Sequence, residues 1–176
     1  MARVIYSAAA SLDGYLAGPG GDMSWLAEHA GDENPAAERL LAGVGALLVG
    51  RRTYDGDDPN RGTDAEGAFG GRYDGPVVLL THRPPAAAPP GITVATDLAE
   101  AVVAARGLAG DGYVNVLGAD VAAQCLAAGE LDEVLVLVVP VLLGDGTRLF
   151  PRRPGAPRVR LEPMADDTPH WYRVVR

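Results

Sequence analysis

The 176-residue chain is expected to fold as an α/β domain with a mostly parallel central sheet and antiparallel strands at its C-terminal end. Three observations predict this. Between Asp97 and Val139, short apolar runs alternate with stretches of helical periodicity. The earlier runs Ala46–Val49 and Pro76–Thr81 are apolar without alternation, as strands covered on both faces are. The tail beyond Arg158 carries strand-like runs with no helical pattern between them.

Arg3 to Ala10 reads as the first strand, and Ser11 to Gly21 as a turn-rich stretch containing Gly14, Gly18, Pro19, Gly20 and Gly21. Pro35 to Leu41 has helical character, with Gly43 or Gly45 to end it. Ala46–Val49 is a short buried strand. Asp55 to Gly75, rich in Gly and Asp, reads as a long loop. Pro76–Thr81 is the next strand, Pro84–Pro90 a stiff connector, and Ile92–Ala95 a short strand. Asp97 is placed to cap a helix, with Glu100 three residues on, and Leu98, Ala101, Val102 and Ala105 share its apolar face. Tyr113–Leu117 is a strand. Asp120 is expected to cap the helix that follows, with Val121, Cys125 and Leu126 inward and Gly129 at its end. Leu131–Val139 reads as a long buried strand, and Arg158–Glu162 with His170–Val175 as a hairpin-like pair. No repeat or linker divides the chain, so one domain over 1–176 is expected.

Composition narrows the function. The formal net charge is -8, and all 15 basic residues are Arg, which argues against a nucleic-acid surface but leaves room for Arg focused in one cleft. Cys125 is the only cysteine, so neither an intrachain disulfide nor a Cys-based metal framework is available within the sequence. The longest apolar run, Val134 to Leu143, is about half a membrane span and contains Pro140. The first residues read as a strand rather than a signal peptide, and a cytoplasmic protein with no membrane partner is the expectation. His29, His82 and His170 lack metal-ligand spacing. Asp55–Asn60 has the acidic character of a calcium loop, but Pro59 and a missing terminal Glu break it. No metal is expected. Nucleophile-elbow, phosphate-loop and dinucleotide glycine motifs are absent from the sequence.

Several segments carry chemistry. Gly50-Arg51-Arg52-Thr53 follows a buried strand and opens toward a helix, where free backbone N–H groups and guanidinium forks suit phosphate. Thr81-His82-Arg83 ends the next strand, and Gly118-Ala119-Asp120-Val121 joins a strand to a helix start. Strand ends of this kind are where open α/β sheets bind ligands. Each also has a plain reading, as solvated loop arginines or an ordinary helix start. Ser11-Leu12-Asp13-Gly14 closes the first strand, and Asp13-Gly14 is equally a turn pair.

In order and spacing, Ser11–Gly14, Gly50–Tyr54, Val116–Asp120 and Pro140–Thr147 resemble the dihydrofolate reductase superfamily, in the branch of the riboflavin-biosynthesis reductase domain. The resemblance covers nearly the whole chain and implies a dihydrofolate-reductase-like three-layer fold. It further implies NADPH as cofactor, held by Gly50, Arg51, Arg52, Thr53, Thr81, His82, Arg83, Leu117, Gly118, Ala119, Asp120 and Val121. The loop from Ser11 to Trp25 would cover nicotinamide and substrate. Asp13 and Asp22 are then the catalytic candidates, for orienting the substrate or relaying a proton, and Ser11 and Trp25 the substrate-binding ones. The implied activity is reduction of a small pteridine- or aminopyrimidine-like heterocycle, of the 5-amino-6-(5-phosphoribosylamino)uracil reductase type. Members of the branch often pair, so a homodimer is implied. Two departures stand out. Leu117 occupies a position that is usually Gly and would crowd the cofactor. No acidic residue among Glu28, Asp32 and Glu33 aligns with the one folate enzymes carry, which disfavours dihydrofolate itself. A non-catalytic ligand- or nucleotide-binding protein on the same scaffold is the alternative.

Overall fold

The computed structural model describes residues 1–29, 34–56, 58, 60–152, 154–164 and 168–176. Asp32, Glu33, Asp57 and Pro59 lie outside them. Eight strands form one sheet: β1 (Arg3–Ser11), β3 (Val44–Gly50), β4 (Val77–Leu80), β5 (Ile92–Ala95), β6 (Tyr113–Leu117), β7 (Glu133–Val139), β9 (Arg160–Pro163) and β10 (Trp171–Val175). Their order is β5-β4-β3-β6-β1-β7-β10-β9. Pairing is parallel from β5 through β7 and antiparallel for β10 on β7 and β9 on β10. The α/β class and the antiparallel tail are as the sequence pattern predicts.

The helices are α1 (Pro35–Leu41), α2 (Arg51–Asp55), α3 (Leu98–Ala109) and α4 (Ala119–Ala127). Strand alternation gives the sheet two faces. Val4, Tyr6, Leu48, Val78, Val114 and Val116 point to one and pack with Ala101, Val102 and Ala105 of α3 and Val121, Ala122 and Cys125 of α4. Small Ala side chains let these helices approach the sheet closely. The other face carries Ile5, Leu135 and Trp171 under Leu40 and Ala36 of α1, with Phe69 of the long loop against them. The Asn34 carboxamide oxygen caps α1 by accepting from Ala36 N at 3.0 Å and Ala37 N at 3.2 Å. Asp97 caps α3 as expected, accepting from Glu100 N at 2.9 Å.

The structure corrects several boundaries. Asp120 does not cap α4: Gly118 is the N-cap, at φ 106 and ψ 131, and Asp120 sits exposed in the first turn. A glycine makes that backbone conformation accessible, so the turn into the helix comes two residues earlier. Gly45 does not end α1 but lies inside β3, where a Cβ would fall 2.3 Å from the carbonyl oxygen of Ala109. The glycine lets α3 end against the strand. β7 starts at Glu133 rather than Leu131, because Asp132 is drawn into loop contacts: its N–H donates to Val4 O and its carboxylate accepts from Val4 N at 2.8 Å. Two short strands escape sequence reading, β2 (Tyr15–Ala17) and β8 (Thr147–Arg148), which pair antiparallel with each other as a separate sheet. Three residues and two residues are too few to show a period.

At the amino edge of the sheet Glu133 is buried, at 1 % exposure, and held on both oxygens. Arg3 Nη1 reaches Oε1 at 2.6 Å, and Trp171 Nε1 donates to Oε2 at 2.8 Å. Arg3 in turn lies 4.6 Å from the Tyr113 ring centroid. This ties β1, β7, β10 and β6 together. Replacing Glu133→Ala orphans a buried indole N–H and opens a void, while Arg3 can turn to water. The expected loss is about 2–3 kcal/mol, read as a fall in Tm of roughly 5–10 °C by thermal denaturation. Glu133→Gln, which can still accept from Trp171, is expected to lose less.

Candidate functional site

The parallel strands β3, β6 and β1 end side by side, so Gly50, Gly118 and Ser11 emerge at one carboxyl edge. Their neighbours interlock. A Cβ on Gly118 would lie 2.5 Å from Thr53 Oγ1, and one on Gly50 would lie 2.8 Å from Val121 Cγ2. The starts of α2 and α4 are therefore packed against each other through positions that tolerate no side chain. Neither start has a side-chain cap, so side chains do not claim the N–H groups of these first turns. Ala119 and Val121 are buried beneath, while Leu117 is half-buried beside them.

Arginine lines this edge unevenly. Arg51 pairs with Asp55, and its Nη1 donates to Arg83 O at 3.5 Å. This draws Thr81–Arg83 alongside α2. Thr81 is buried, its Oγ1 accepting from Arg83 N at 3.1 Å, whereas His82 and Arg83 are exposed. Among the described residues no side-chain partner holds the Arg83 guanidinium. Arg52 lies 3.5 Å from Asp120, with both side chains largely exposed, a pairing worth at most about 1 kcal/mol. The same Arg52 lines an open groove of about 470 Å³ with Gly18, Gly21, Asp145, Gly146 and Thr147. All three glycine- or arginine-bearing segments thus meet at one edge. Asp120 works against an anion there, because its charge sits in the first turn of α4.

The loop after β7 reaches this groove through Asp13. The Asp13 carboxylate accepts from Ser11 Oγ at 2.6 Å, Leu143 N at 3.1 Å and Gly144 N at 2.7 Å. Ser11, itself buried, accepts from Tyr15 N at 2.9 Å. The hydroxyl bond from Ser11, reinforced by the two backbone donors, holds the Asp13 carboxyl below the usual carboxylate range. Asp13 is thus an ionised acceptor that brackets the end of β1 to the 140–147 loop. Gly146 seals the same junction: a Cβ there would fall 2.1 Å from Ala17 O. Further along, Tyr6 donates to Leu149 O at 3.2 Å and stacks edge-on with Phe150 at 5.3 Å. Packing thus explains Gly146 and Phe150, while Gly144, where a Cβ would meet nothing, is explained by its φ of 76.

Asp22 lies in an adjoining groove of about 400 Å³ formed by Pro19–Ser24 and Ala27. Its carboxylate accepts from Ser24 N at 2.9 Å, which lowers its pKa and starts the 3-10 helix Ser24–His29. Trp25, on that helix, is half-buried, and its Nε1 is shielded from solvent without a hydrogen-bond partner. The structure therefore brings Asp13 and Ser11 into contact and leaves Asp22 and Trp25 on a separate turn. Asp145 and Thr147, lining the groove beside Arg52, belong to the Pro140–Thr147 motif but were not among the site residues expected from sequence; their approach depends on the β2–β8 pairing. No cluster of potential metal ligands occurs among the described residues, and no described helix is long and apolar enough to cross a membrane.

The family model for the RibD C-terminal domain matches residues 2–171. A solved structure from Shewanella sp. PV-4, named for riboflavin biosynthesis, is 22% identical with a TM-score of 0.67, covering 99% of this chain and 97% of that one. The diaminohydroxyphosphoribosylaminopyrimidine deaminase/5-amino-6-(5-phosphoribosylamino)uracil reductase of Thermotoga maritima is 19% identical, TM-score 0.58, covering 98% of this chain and 55% of its own. RibD of Acinetobacter baumannii is 18% identical, TM-score 0.58, with 99% and 57% covered. The chain thus spans just over half the length of these last two, and at such identities the likeness is one of fold. No curated relative matches the chain in sequence.

The bracket is testable by pH. A depressed pKa means that the Asp13 contacts are complete above the unfolded carboxylate value and are lost as pH falls through the folded one. The Leu143 and Gly144 amide protons are expected to titrate in NMR spectra at a pH below the ordinary Asp range. In Asp13→Asn that titration should vanish. Unchanged amide shifts across the acid range in the parent protein would exclude the bracket.

Proposed function

Because the chain belongs to the RibD C-terminal domain family, we propose that it is an NADPH-dependent reductase of a small heterocycle of pteridine or aminopyrimidine type. One observation carries the reading: the uncapped starts of α2 and α4 abut through Gly118 and Thr53, with Arg52 on the groove beside them. This suits a dinucleotide, whose phosphates need backbone N–H groups, a cation and no intruding Cβ. Gly50–Thr53 and Gly118–Val121 hold the diphosphate in this proposal, with Arg52 turning from Asp120 to the anion. Thr81, His82 and Arg83 take the adenosine end, where the unpaired Arg83 guanidinium suits a 2′-phosphate. The bound cofactor supplies a hydride, and a heterocyclic C=O or C=N is the acceptor.

The protein's own part is positioning. Asp13, ionised and saturated with donors, serves by fixing the 140–147 loop against the groove. Asp22 and Trp25 are assigned to the substrate side in this proposal, the Trp25 indole N–H being shielded from solvent and without a hydrogen-bond partner in the free protein. The alternative, a ligand-binding protein without catalysis, is favoured by Leu117 and by Asp120 beside Arg52, both of which weaken cofactor binding. A homodimer and a cytoplasmic location belong to the proposal.

Titration with NADPH and NADH in parallel, followed by Trp fluorescence, decides between the readings. Saturable binding with NADPH preferred is expected. Arg83→Ala is expected to reduce that preference by about tenfold, the scale of one charge-assisted contact. Leu117→Gly and Asp120→Asn should each tighten NADPH binding, by about threefold or more. Absence of binding to either nucleotide at high concentration would sink the reductase reading.

A further inference from the structure

Strand β9 is the last strand of the eight-stranded sheet, and among the described residues it pairs with β10 alone. All four of its residues are exposed. None of the roles above uses this edge. An open strand edge offers unpaired N–H and C=O groups to another strand.

The register fixes what the edge presents. Met164 N–H donates to Trp171 O at 2.9 Å, and Glu162 and Arg160 lie opposite Arg173 and Val175. Hydrogen bonding alternates along an antiparallel pair, so the backbone groups of residues 160, 162 and 164 turn to β10. Those of Leu161 and Pro163 turn outward. Pro163 has no N–H, so the edge is bare of one donor there. Side chains alternate as well. Leu161 shares a face with its register partner Val174, and Arg160 and Glu162 share the other. Leu161 is 40 % exposed, with Val174 half-buried beside it. In the free chain Arg160 Nη2 donates to Glu162 Oε1 along the strand, and both side chains are largely in solvent.

The segment Val159-Arg160-Leu161-Glu162-Pro163 is complementary to its own reverse. In an antiparallel pair centred on Leu161, Arg160 stands opposite the partner's Glu162, and Val159 opposite the partner's Pro163. The two Leu161 residues exchange N–H···O bonds, and Val159 N–H meets the carbonyl of the partner's Pro163. The Arg and Glu then occupy the closely spaced positions, where side chains approach most nearly. Parallel pairing in register would set Arg against Arg. An antiparallel shift of two residues either way sets Arg160 or Glu162 against its own copy. Charges and proline usually keep edge strands apart; here their order selects one two-fold register.

We propose that β9 is a self-association edge, through which two copies of the chain join antiparallel and make their sheets continuous. The inference supplies a surface for the homodimer of the reading above and rests on that reading in this respect alone. The contact is small, so association is reversible and depends on concentration.

Sedimentation velocity of the full chain over a range of concentrations is expected to show monomer–dimer exchange. Glu162→Arg sets Arg against Arg at both crossings and should weaken association by about tenfold or more. Adding Arg160→Glu to that variant restores the complementarity in inverted order, and association should return to within about threefold of the parent. A short bifunctional maleimide at micromolar protein should join Leu161→Cys chains into covalent dimers. It should leave Val103→Cys chains, altered on the exposed side of α3, as monomers; Cys125 is buried and does not compete. A parent chain that stays monomeric at millimolar concentration overturns the inference and the homodimer together. A dimer indifferent to Glu162→Arg, with no cross-link through Leu161→Cys, overturns the inference alone and leaves the homodimer to another face. A double exchange that fails to restore the dimer overturns it as well. Should the charge variants fail to fold, the Leu161→Cys cross-link decides.

Discussion

The insertion of β6 between β1 and β3 is the constraint on which the site depends. Parallel pairing on both sides of β6 aligns Asn115 with Ile5 and Leu47 and so brings three strand ends to one edge. From there short-range sterics take over. Gly118 must turn sharply into α4, and the turn leaves no room for a Cβ against Thr53. Two helix starts from distant parts of the chain consequently share one surface. Neither start carries a side-chain cap, and the N–H groups of those first turns are the physical basis for expecting an anion.

The second constraint is the Asp13 bracket. An exposed loop after a strand has little packing of its own to hold it. Here one carboxylate takes the Leu143 and Gly144 N–H groups together with the Ser11 hydroxyl. Asp145 to Thr147 of the loop so held line the groove together with Arg52. Asp13, which sequence offers for orienting substrate or relaying a proton, also ties this loop to the end of β1. Its depressed pKa follows from that work, since each donor favours the charged form.

The site is electrostatically mixed. In the proposed reading Arg52, Arg83 and two helix starts favour a phosphate, while Asp120 and the net charge of -8 oppose it. Rim pairs such as Arg52–Asp120 are weak and screened by salt, so they tune affinity rather than decide it.

Sequence alone determined the α/β class, the buried strands, the Asp97 cap and the family, because those depend on local periodicity and on short motifs. It also marked Gly50, Arg52 and Gly118, which the structure brings to one edge of the sheet. It misjudged the start of α4, since only the backbone angles of Gly118 reveal which residue turns the chain. It could not show β2 with β8, whose pairing joins segments more than a hundred residues apart. Nor could it show that Asp13 is saturated with donors. Hydrogen-bond satisfaction is a property of neighbours, and neighbours across a parallel sheet are chosen by tertiary topology.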